Sequence, residues 1–202
     1  MKSNFESDLL LEQKLSRYLD LQYPKLLPDY LVERIQDRKQ QHLGVDLVLT
    51  HKKTPKKYYA DEKAQLDYLN KKLPTFAFEL FYEKYGKQKT GWFLDTQKKT
   101  DLYLLVTGIW TDVHGDFNSC HITQVNKAKL LECLSKRELT SKRLRQLADS
   151  QPTFHGKMQL ANLNPRTEGY LFFSRKNKVE KPVNLILRLE FLCRTGVAKP
   201  LV

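Results

Sequence analysis

The sequence predicts a mixed α/β fold of the α+β kind, because helical and strand patterns follow one another in blocks. A helical stretch comes first, four strand-like stretches follow, and two helical stretches separate these from a final pair of strands. The 202 residues include 41% hydrophobic side chains, with ten Phe, ten Tyr and two Trp. This is enough apolar material for a packed core. We therefore expect one domain over residues 1–202.

The first helix is predicted over about residues 4–21. Ser3 precedes Glu6 at the spacing of a capping box, and Pro24 follows as a helix breaker. Leucines recur on one face of the helix, namely Leu11, Leu15 and Leu19. This face is expected to pack on the core.

A β-hairpin is predicted next. Residues 43–49 (LGVDLVL) and 58–64 (YYADEKA) read as strands, the first with one acidic residue inside it and the second with two. The basic segment HKKTPKK, residues 51–57, joins them and contains a proline. This order is typical of two antiparallel strands with a turn near Thr54 and Pro55.

Four more stretches have strand character. Residues 75–81 (TFAFELF) predict a third strand, and residues 101–110 (DLYLLVTGIW) are apolar enough for a central one. Near the C-terminus, residues 169–173 and 183–192 predict a further pair joined by a basic loop.

Two short helices are predicted between these groups of strands. Asn126 can cap a helix that carries Leu130, Leu131 and Leu134. Thr140 or Ser141 can cap a second, basic helix that carries Leu144 and Leu147.

The net charge of +12 is distributed unevenly along the chain. Residues 51–100 hold 12 basic and 6 acidic side chains, and residues 151–202 hold 9 and 3, while the rest nearly balances. Basic regions on a near-neutral frame indicate a polyanionic partner, although surface lysine that only confers solubility is the open alternative. A membrane is disfavoured, since no apolar run approaches about 20 residues. Nucleic acid is the better partner.

The cysteines indicate a reducing, cytoplasmic environment, because the three are odd in number and far apart. A zinc site formed from Cys120, His121, Cys133 and His114 has a spacing that matches no common zinc motif. We therefore expect these to be structural residues.

Asp46 and Asp61 lie inside strand-like runs, where an ionised carboxylate is rarely buried without compensation. The hairpin places them close together across the ladder. Two such carboxylates raise each other's pKa unless a cation lies between them. A hard divalent cation such as Mg²⁺, or Mn²⁺, suits the pair. The alternative is a buried ion-paired cluster without catalysis.

Lys63 follows Asp61 by two residues, so both side chains are expected on one face of the strand. An ammonium group there can orient an attacking water and stabilise charge on a phosphorane. Gln65 follows on that face if the strand continues, whereas Glu62 faces the other side. We therefore assign Asp61 rather than Glu62 to the site.

The sequence Gly44-Val45-Asp46, a hairpin and then Asp61-Glu62-Lys63 resembles the PD-(D/E)xK nuclease superfamily, which has the restriction-endonuclease-like fold. That family has an Asp on one strand and an acidic residue, any residue and a Lys on the next, within an αβββαβ core. The resemblance covers about residues 5–135, which leaves about residues 136–202 as a C-terminal extension of helices and a strand hairpin.

The resemblance implies a metal-dependent nuclease that hydrolyses phosphodiester bonds in DNA, with RNA as the alternative. Asp46 and Asp61 would bind Mg²⁺ or Mn²⁺, Lys63 would position the attacking water, and Gln65 would assist. Glu12 on the first helix corresponds to an additional metal-site acid, with an exposed surface glutamate as the other interpretation. The resemblance also leaves a homodimer open.

The lysines of the basic turn are expected to contact phosphates without reading sequence. They are Lys52, Lys53, Lys56 and Lys57. The rival hypothesis is a nucleic-acid-binding or assembly module that keeps the nuclease fold without turnover.

Overall fold

The computed structural model of the chain describes residues 5–176 and 180–202. Its fold is mixed α/β, with a mixed six-stranded sheet and an additional five-stranded antiparallel sheet. The described residues group into two compact units. This agrees with the α+β prediction at the level of fold class.

The helices are α1 (Phe5–Leu26), α2 (Arg38–His42), α3 (Lys127–Ser135), α4 (Ser141–Asp149) and α5 (Leu189–Arg194). The strands are β1 (Tyr30–Arg34), β2 (Leu47–His51), β3 (Lys57–Ala64), β4 (Thr75–Lys84), β5 (Lys87–Thr90), β6 (Leu102–Thr111), β7 (Phe117–Asn126), β8 (Gly156–Met158), β9 (Gly169–Phe173), β10 (Val183–Arg188) and β11 (Ala198–Pro200). A 3₁₀ turn spans Leu66–Tyr68.

The first unit contains the described residues up to Leu73, together with Thr100–Gln124 and Pro200–Val202. The mixed sheet has the order β1-β2-β3-β6-β7-β11. Strands β1, β2 and β3 are antiparallel to their neighbours in the series, and β6 runs parallel to β3. The apolar run predicted as a central strand is therefore central, and it lies beside the strand that carries Asp61.

Helix α1 packs on the mixed sheet through a buried stripe. Leu15, Leu19 and Tyr23 are almost completely buried in a core that includes Leu47 and Leu104. The helix runs past its predicted end near residue 21, with Pro24 inside it. A proline removes one hydrogen bond from a helix, whereas continuing the helix buries Tyr23 completely and Leu26 partly. The predicted capping box of Ser3 and Glu6 depends on Ser3, which lies outside the described residues.

The second unit consists of the described parts of Pro74–Lys99 and Val125–Lys199. Its antiparallel sheet has the order β5-β4-β10-β9-β8. The predicted third strand is present as β4, but it pairs with β10 and not with the hairpin. Strand periodicity shows which residues share a face and carries no information about the partner strand.

Helix caps in the second unit follow the sequence prediction. Asn126 accepts a hydrogen bond from the N–H of Lys129 at 2.9 Å. Thr140, rather than Ser141, accepts one from the N–H of Arg143 at 3.3 Å. These contacts satisfy backbone donors that the first turn of a helix leaves open.

The last predicted strand, residues 183–192, is too long. Strand β10 ends at Arg188 and the chain continues into α5, where the consecutive residues Phe191 and Leu192 are both fully buried. A strand would turn one of them away from the core, whereas a short helix packs both. Within the part of the chain that the structure describes, no helix combines the length and apolarity needed to span a bilayer.

Candidate active site

Asp46 immediately precedes β2 and is fixed by its backbone on both sides. Its N–H donates to the carbonyl of Ala60 at 2.9 Å, and its own carbonyl accepts from the N–H of Ile35 at 2.8 Å. Two residues earlier, Gly44 has a φ of +72°, in the left-handed region that glycine tolerates best. The Gly44 carbonyl accepts a hydrogen bond from Thr100 Oγ1 at 2.8 Å. The sharp turn before β2 therefore sets the position of Asp46.

The Asp46 carboxylate contacts the end of β3. Its Oδ2 accepts a hydrogen bond from the backbone N–H of Glu62 at 2.8 Å. Burial and, after it, the nearby Asp61 carboxylate raise the pKa of Asp46 to about 7, although Lys63 acts to lower it. Asp46 is thus a largely buried carboxyl group beside a second carboxylate, and Lys63 offsets these two effects only in part.

Asp61 and Lys63 share one face of β3, as strand alternation predicts. Asp61 is only 2% exposed, and Lys63 Nζ donates a hydrogen bond to its Oδ1. Tyr103 on β6 lies opposite Asp61 in the parallel register. Burial raises the pKa of the Tyr103 hydroxyl, and the negative charge of Asp61 adds to this effect. The structure therefore brings Asp46, Asp61 and Lys63 together at one end of the β2–β3 hairpin.

Glu62 lies on the opposite face of β3 and is held by two partners. Tyr23 donates a hydrogen bond to Glu62 Oε2 at 2.5 Å, and Arg34 Nη2 donates to the same oxygen at 3.0 Å. Arg34 Nε also donates to Asp20 Oδ1 at 2.7 Å. Burial lowers the pKa of Arg34, but Glu62 and Asp20 more than offset this and the pKa is raised. Burial also raises the pKa of Tyr23, and Glu62 raises it further.

Arg34 is a residue that the sequence pattern did not bring out. The segment from Tyr30 to Arg34 lies between Pro28 and a polar stretch, so it reads as a connection. Its signal is alternation, because Tyr30, Val32 and Arg34 are half-buried while Leu31 and Glu33 between them are exposed. An arginine in phase with apolar residues of a short strand indicates a partly buried charge that needs an acidic partner.

A cavity of about 390 Å³ opens beside this end of the hairpin. Asp46 and Lys63 line it, and so do Glu62, Arg34 and Glu12. We call it the catalytic cavity. The lining residues do not include Asp61, whose side chain is buried, or Gln65.

Glu12 and Gln65 occupy different positions relative to the catalytic cavity. Glu12 is exposed on α1 and lies at the cavity wall. Gln65 follows the last residue of β3 and donates its backbone N–H to the carbonyl of Val106 at 3.0 Å. Because β3 ends at Ala64, the alternation that relates Asp61 to Lys63 does not extend to Gln65.

The lysine turn lies at the other end of the hairpin. Lys52, Lys53, Lys56 and Lys57 are all exposed. Lys52 is anchored through its Nζ to the carbonyl of Pro28 at 2.6 Å, and Lys56 lies over the ring of Tyr58. At about 3.3 Å per residue, the six steps from Asp46 to Lys52 amount to about 20 Å. The turn is therefore distant from the Asp46 carboxylate.

The charges near Asp46 do not balance. The carboxylate cluster, defined as Asp46, Asp61, Glu62, Lys63 and Arg34, contains three acids and two cations. Lys63 pairs with Asp61 and Arg34 pairs with Glu62. Within residues 5–176 and 180–202, no group of three or more His, Cys, Asp or Glu side chains could hold a metal ion. A cation at Asp46 and Asp61 would therefore take its other ligands from water or substrate, which is usual for Mg²⁺.

No protein-family model, curated protein or solved structure matches the chain. Function is therefore inferred from the site itself.

Proposed function

We propose that the chain is a metal-dependent nuclease of the PD-(D/E)xK type, which hydrolyses phosphodiester bonds in DNA. The observation that carries this proposal is the convergence of Asp46, Asp61 and Lys63 at the end of one hairpin, next to the catalytic cavity. Burial and the Asp61 carboxylate raise the pKa of Asp46, and an ionisable group perturbed in this way beside a cavity is typical of a functional site.

The order of elements in the first unit supports a restriction-endonuclease-like core. Helix α1 is followed by β1, the short helix α2, β2 and β3. The three strands are antiparallel neighbours, and the sheet continues with β6, parallel to β3. Apart from the inserted α2, this order resembles the αβββ part of the family core with a following parallel strand. Where the family has its second helix, the first unit has the 3₁₀ turn at Leu66–Tyr68.

The donor set suits a hard divalent cation. Asp46 and Asp61 supply carboxylate oxygens, which Mg²⁺ and Mn²⁺ prefer. The cluster also has one more acid than it has cations, so a bound cation would relieve the raised pKa of Asp46. When bound there, such a cation would lower the pKa of a water ligand and neutralise charge on the scissile phosphate.

The roles of the side chains follow from their positions. Asp46 and Asp61 would hold the cation, and Glu12 at the cavity wall would contact it from α1 through a water ligand. Lys63, whose side chain is 29% exposed, can donate both to Asp61 and towards the cavity, which suits an ammonium that orients the attacking water. Gln65 would act from just beyond the strand, by supporting the loop that carries the 3₁₀ turn.

The positive charge of the lysine turn suggests contacts with nucleic acid outside the catalytic cavity. The lysine turn would contact phosphates of a bound duplex about 20 Å from Asp46. A homodimer, which would cut two strands, and a cytoplasmic location both remain predictions. RNA is the alternative substrate.

A non-catalytic nucleic-acid-binding module is the second candidate. Asp61 is 2% exposed and already bonded to Lys63, which is what a structural ion pair would show. The two candidates differ in whether Asp61 binds a cation in addition to its contact with Lys63.

The deciding experiment measures cleavage of end-labelled DNA with Mg²⁺ or Mn²⁺. Asp61→Asn and Lys63→Met should each lower the cleavage rate at least about a hundredfold. The matched controls, Asp149→Asn and Lys71→Met, change exposed residues of the same charge and should leave the rate unchanged. Equal rates in the site variants and the wild type, or no cleavage by the wild type with either metal, would reject catalysis.

A further inference from the structure

A second cavity, of about 520 Å³, adjoins the catalytic cavity and shares part of its wall. Glu12, Ser16, Arg34 and Gln41 line both. The second cavity continues along α1 and α2, away from β3. We call it the α1–α2 groove, and its additional lining includes Gln13, Arg17, Gln36 and Arg38.

One wall of the groove is a polar face of α1. Gln13 and Arg17 are four residues apart, so they lie one above the other on the helix. Leu15 and Leu19, on the adjacent face, are buried against the sheet. Because this packing fixes the rotation of α1, Gln13 and Arg17 are held at the groove.

The opposite wall is attached directly to Asp46. The N–H of Gly44 donates to the carbonyl of Gln41 at 2.8 Å, and the N–H of Val45 donates to the carbonyl of Gln40 at 3.1 Å. Helix α2 is thus bonded to the two residues that precede Asp46. The Gln41 side chain, in turn, donates to the carbonyl of Ile35 at 2.9 Å. The groove and the catalytic cavity therefore form one continuous surface on a common backbone.

The charges along the groove change from its near end to its far end. Glu12 lies at the end nearest Asp46 and Lys63. Arg34 is already bonded to two carboxylates, those of Asp20 and Glu62. Arg17 and Arg38 line the groove beyond the catalytic cavity and are exposed. The Asp20 carboxylate also lines this part of the groove, but it is already paired with Arg34. Guanidinium groups bind phosphate oxygens in a bidentate manner, and glutamine amides add neutral donors.

We propose that the nucleic-acid strand that is cleaved leaves the catalytic cavity along the α1–α2 groove, where Arg17 and Arg38 bind its phosphates. This inference rests on the proposed function, since it takes a phosphodiester strand to be the substrate. It assigns strand binding near the site to these two arginines rather than to the lysine turn, which lies about 20 Å from Asp46 along the hairpin.

The test is the affinity for a fluorescent DNA duplex, measured by anisotropy without divalent cations so that no cleavage occurs. The double variant R17Q/R38Q should bind at least tenfold more weakly than the wild type. Loss of two phosphate contacts should also reduce the slope of log affinity against log salt by about 1.8. The control K71Q/K72Q removes the same charge from two exposed lysines to which no phosphate contact is assigned, and it should lower affinity less than about threefold.

The outcomes separate this inference from the proposed function. The assignment of phosphate binding to the groove would be overturned if R17Q/R38Q binds DNA as tightly as the wild type, or if K71Q/K72Q loses as much affinity or more. Either result would count against the groove even if the wild type cleaves DNA. A loss of DNA affinity in R17Q/R38Q that the control does not share would support phosphate binding in the groove, even if no metal produces cleavage. All four residues are exposed, so an unchanged melting temperature in both variants would exclude unfolding as the cause.

Discussion

The backbone N–H of Glu62 donates a hydrogen bond to Asp46 Oδ2 at 2.8 Å, while the Glu62 side chain lies on the other face of β3. There it accepts hydrogen bonds from Tyr23 and Arg34. Glu62 is therefore the residue through which α1 and β1 hold the backbone that carries Asp61 and Lys63. The middle residue of the Asp-Glu-Lys triplet is thus held by contacts of both its side chain and its backbone.

Replacing Arg34 with Met should destabilise the protein by roughly 3 kcal/mol, because it leaves Glu62 as a buried carboxylate without its cation. The side chains of Arg34 and Glu62 are only 16% and 11% exposed, so solvent screening is limited. Chemical denaturation measures the free energy of unfolding.

The double variant R34M/E62Q is the control for this prediction. It removes the charge of both partners, so its loss of stability should be smaller than that of R34M alone. The single variant E62Q completes the comparison. If the stability loss of the double variant equals the sum of the losses of R34M and E62Q, then Arg34 and Glu62 are not energetically coupled.

The wild type should lose stability as pH rises from about 4 to about 8 in the absence of divalent cations. Burial and Asp61 raise the pKa of Asp46 to about 7 in the folded protein, so the folded state binds more protons than the unfolded state in this window. The expected loss is about 4 kcal/mol, measured by denaturation at several pH values.

Asp46→Asn should flatten this pH dependence, because the amide carries no ionisable proton. The exposed Asp149 provides the control, and Asp149→Asn should keep the wild-type slope. If the stability of Asp46→Asn changes with pH as steeply as that of the wild type, then Asp46 is not the group that causes the pH dependence.

Local parts of the site could be predicted from the sequence. An acid in each of two apolar runs, with a proline-containing turn between them, predicted the hairpin, and alternation put Asp61 and Lys63 on one face. Both inferences use short-range geometry that residue order alone determines. The α3 and α4 caps at Asn126 and Thr140 were predictable for the same reason.

Contacts between residues far apart in the chain could not be predicted. Arg34 reaches Glu62 across 28 residues, and β4 pairs with a strand that begins at Val183. Long-range pairing depends on which apolar surfaces remain exposed after neighbouring elements have packed together. The periodic pattern of one segment contains no information about the segment with which it pairs. The distance of the lysine turn from Asp46 could be estimated only from the structure, because it depends on where β2 begins and ends.

Mg²⁺ or Mn²⁺ should raise the melting temperature at pH 8, where Asp46 is ionised in most molecules. A cation that binds only the folded state stabilises it by about 1.4 kcal/mol at ten times its dissociation constant. Asp46→Asn and Asp61→Asn should each abolish the response, while Asp149→Asn should keep it. A melting temperature that is independent of the divalent cation in the wild type would argue against a metal site at this pair.

Gly44→Ala should destabilise the protein by about 1 kcal/mol, since a Cβ is unfavourable at its φ of +72°. Gly115→Ala is a matched control, because Gly115 has a φ of +77° and open space where a Cβ would lie, but it is far along the chain from Asp46. Gly44 is buried whereas Gly115 is exposed, so Gly44→Ala should lower stability at least as much as Gly115→Ala. Gly44 lies two residues before Asp46, however, and its carbonyl is fixed by Thr100. Only Gly44→Ala should therefore also weaken the stabilisation by Mg²⁺, measured as the shift in melting temperature, and an equal weakening in both variants would contradict the role assigned to this turn.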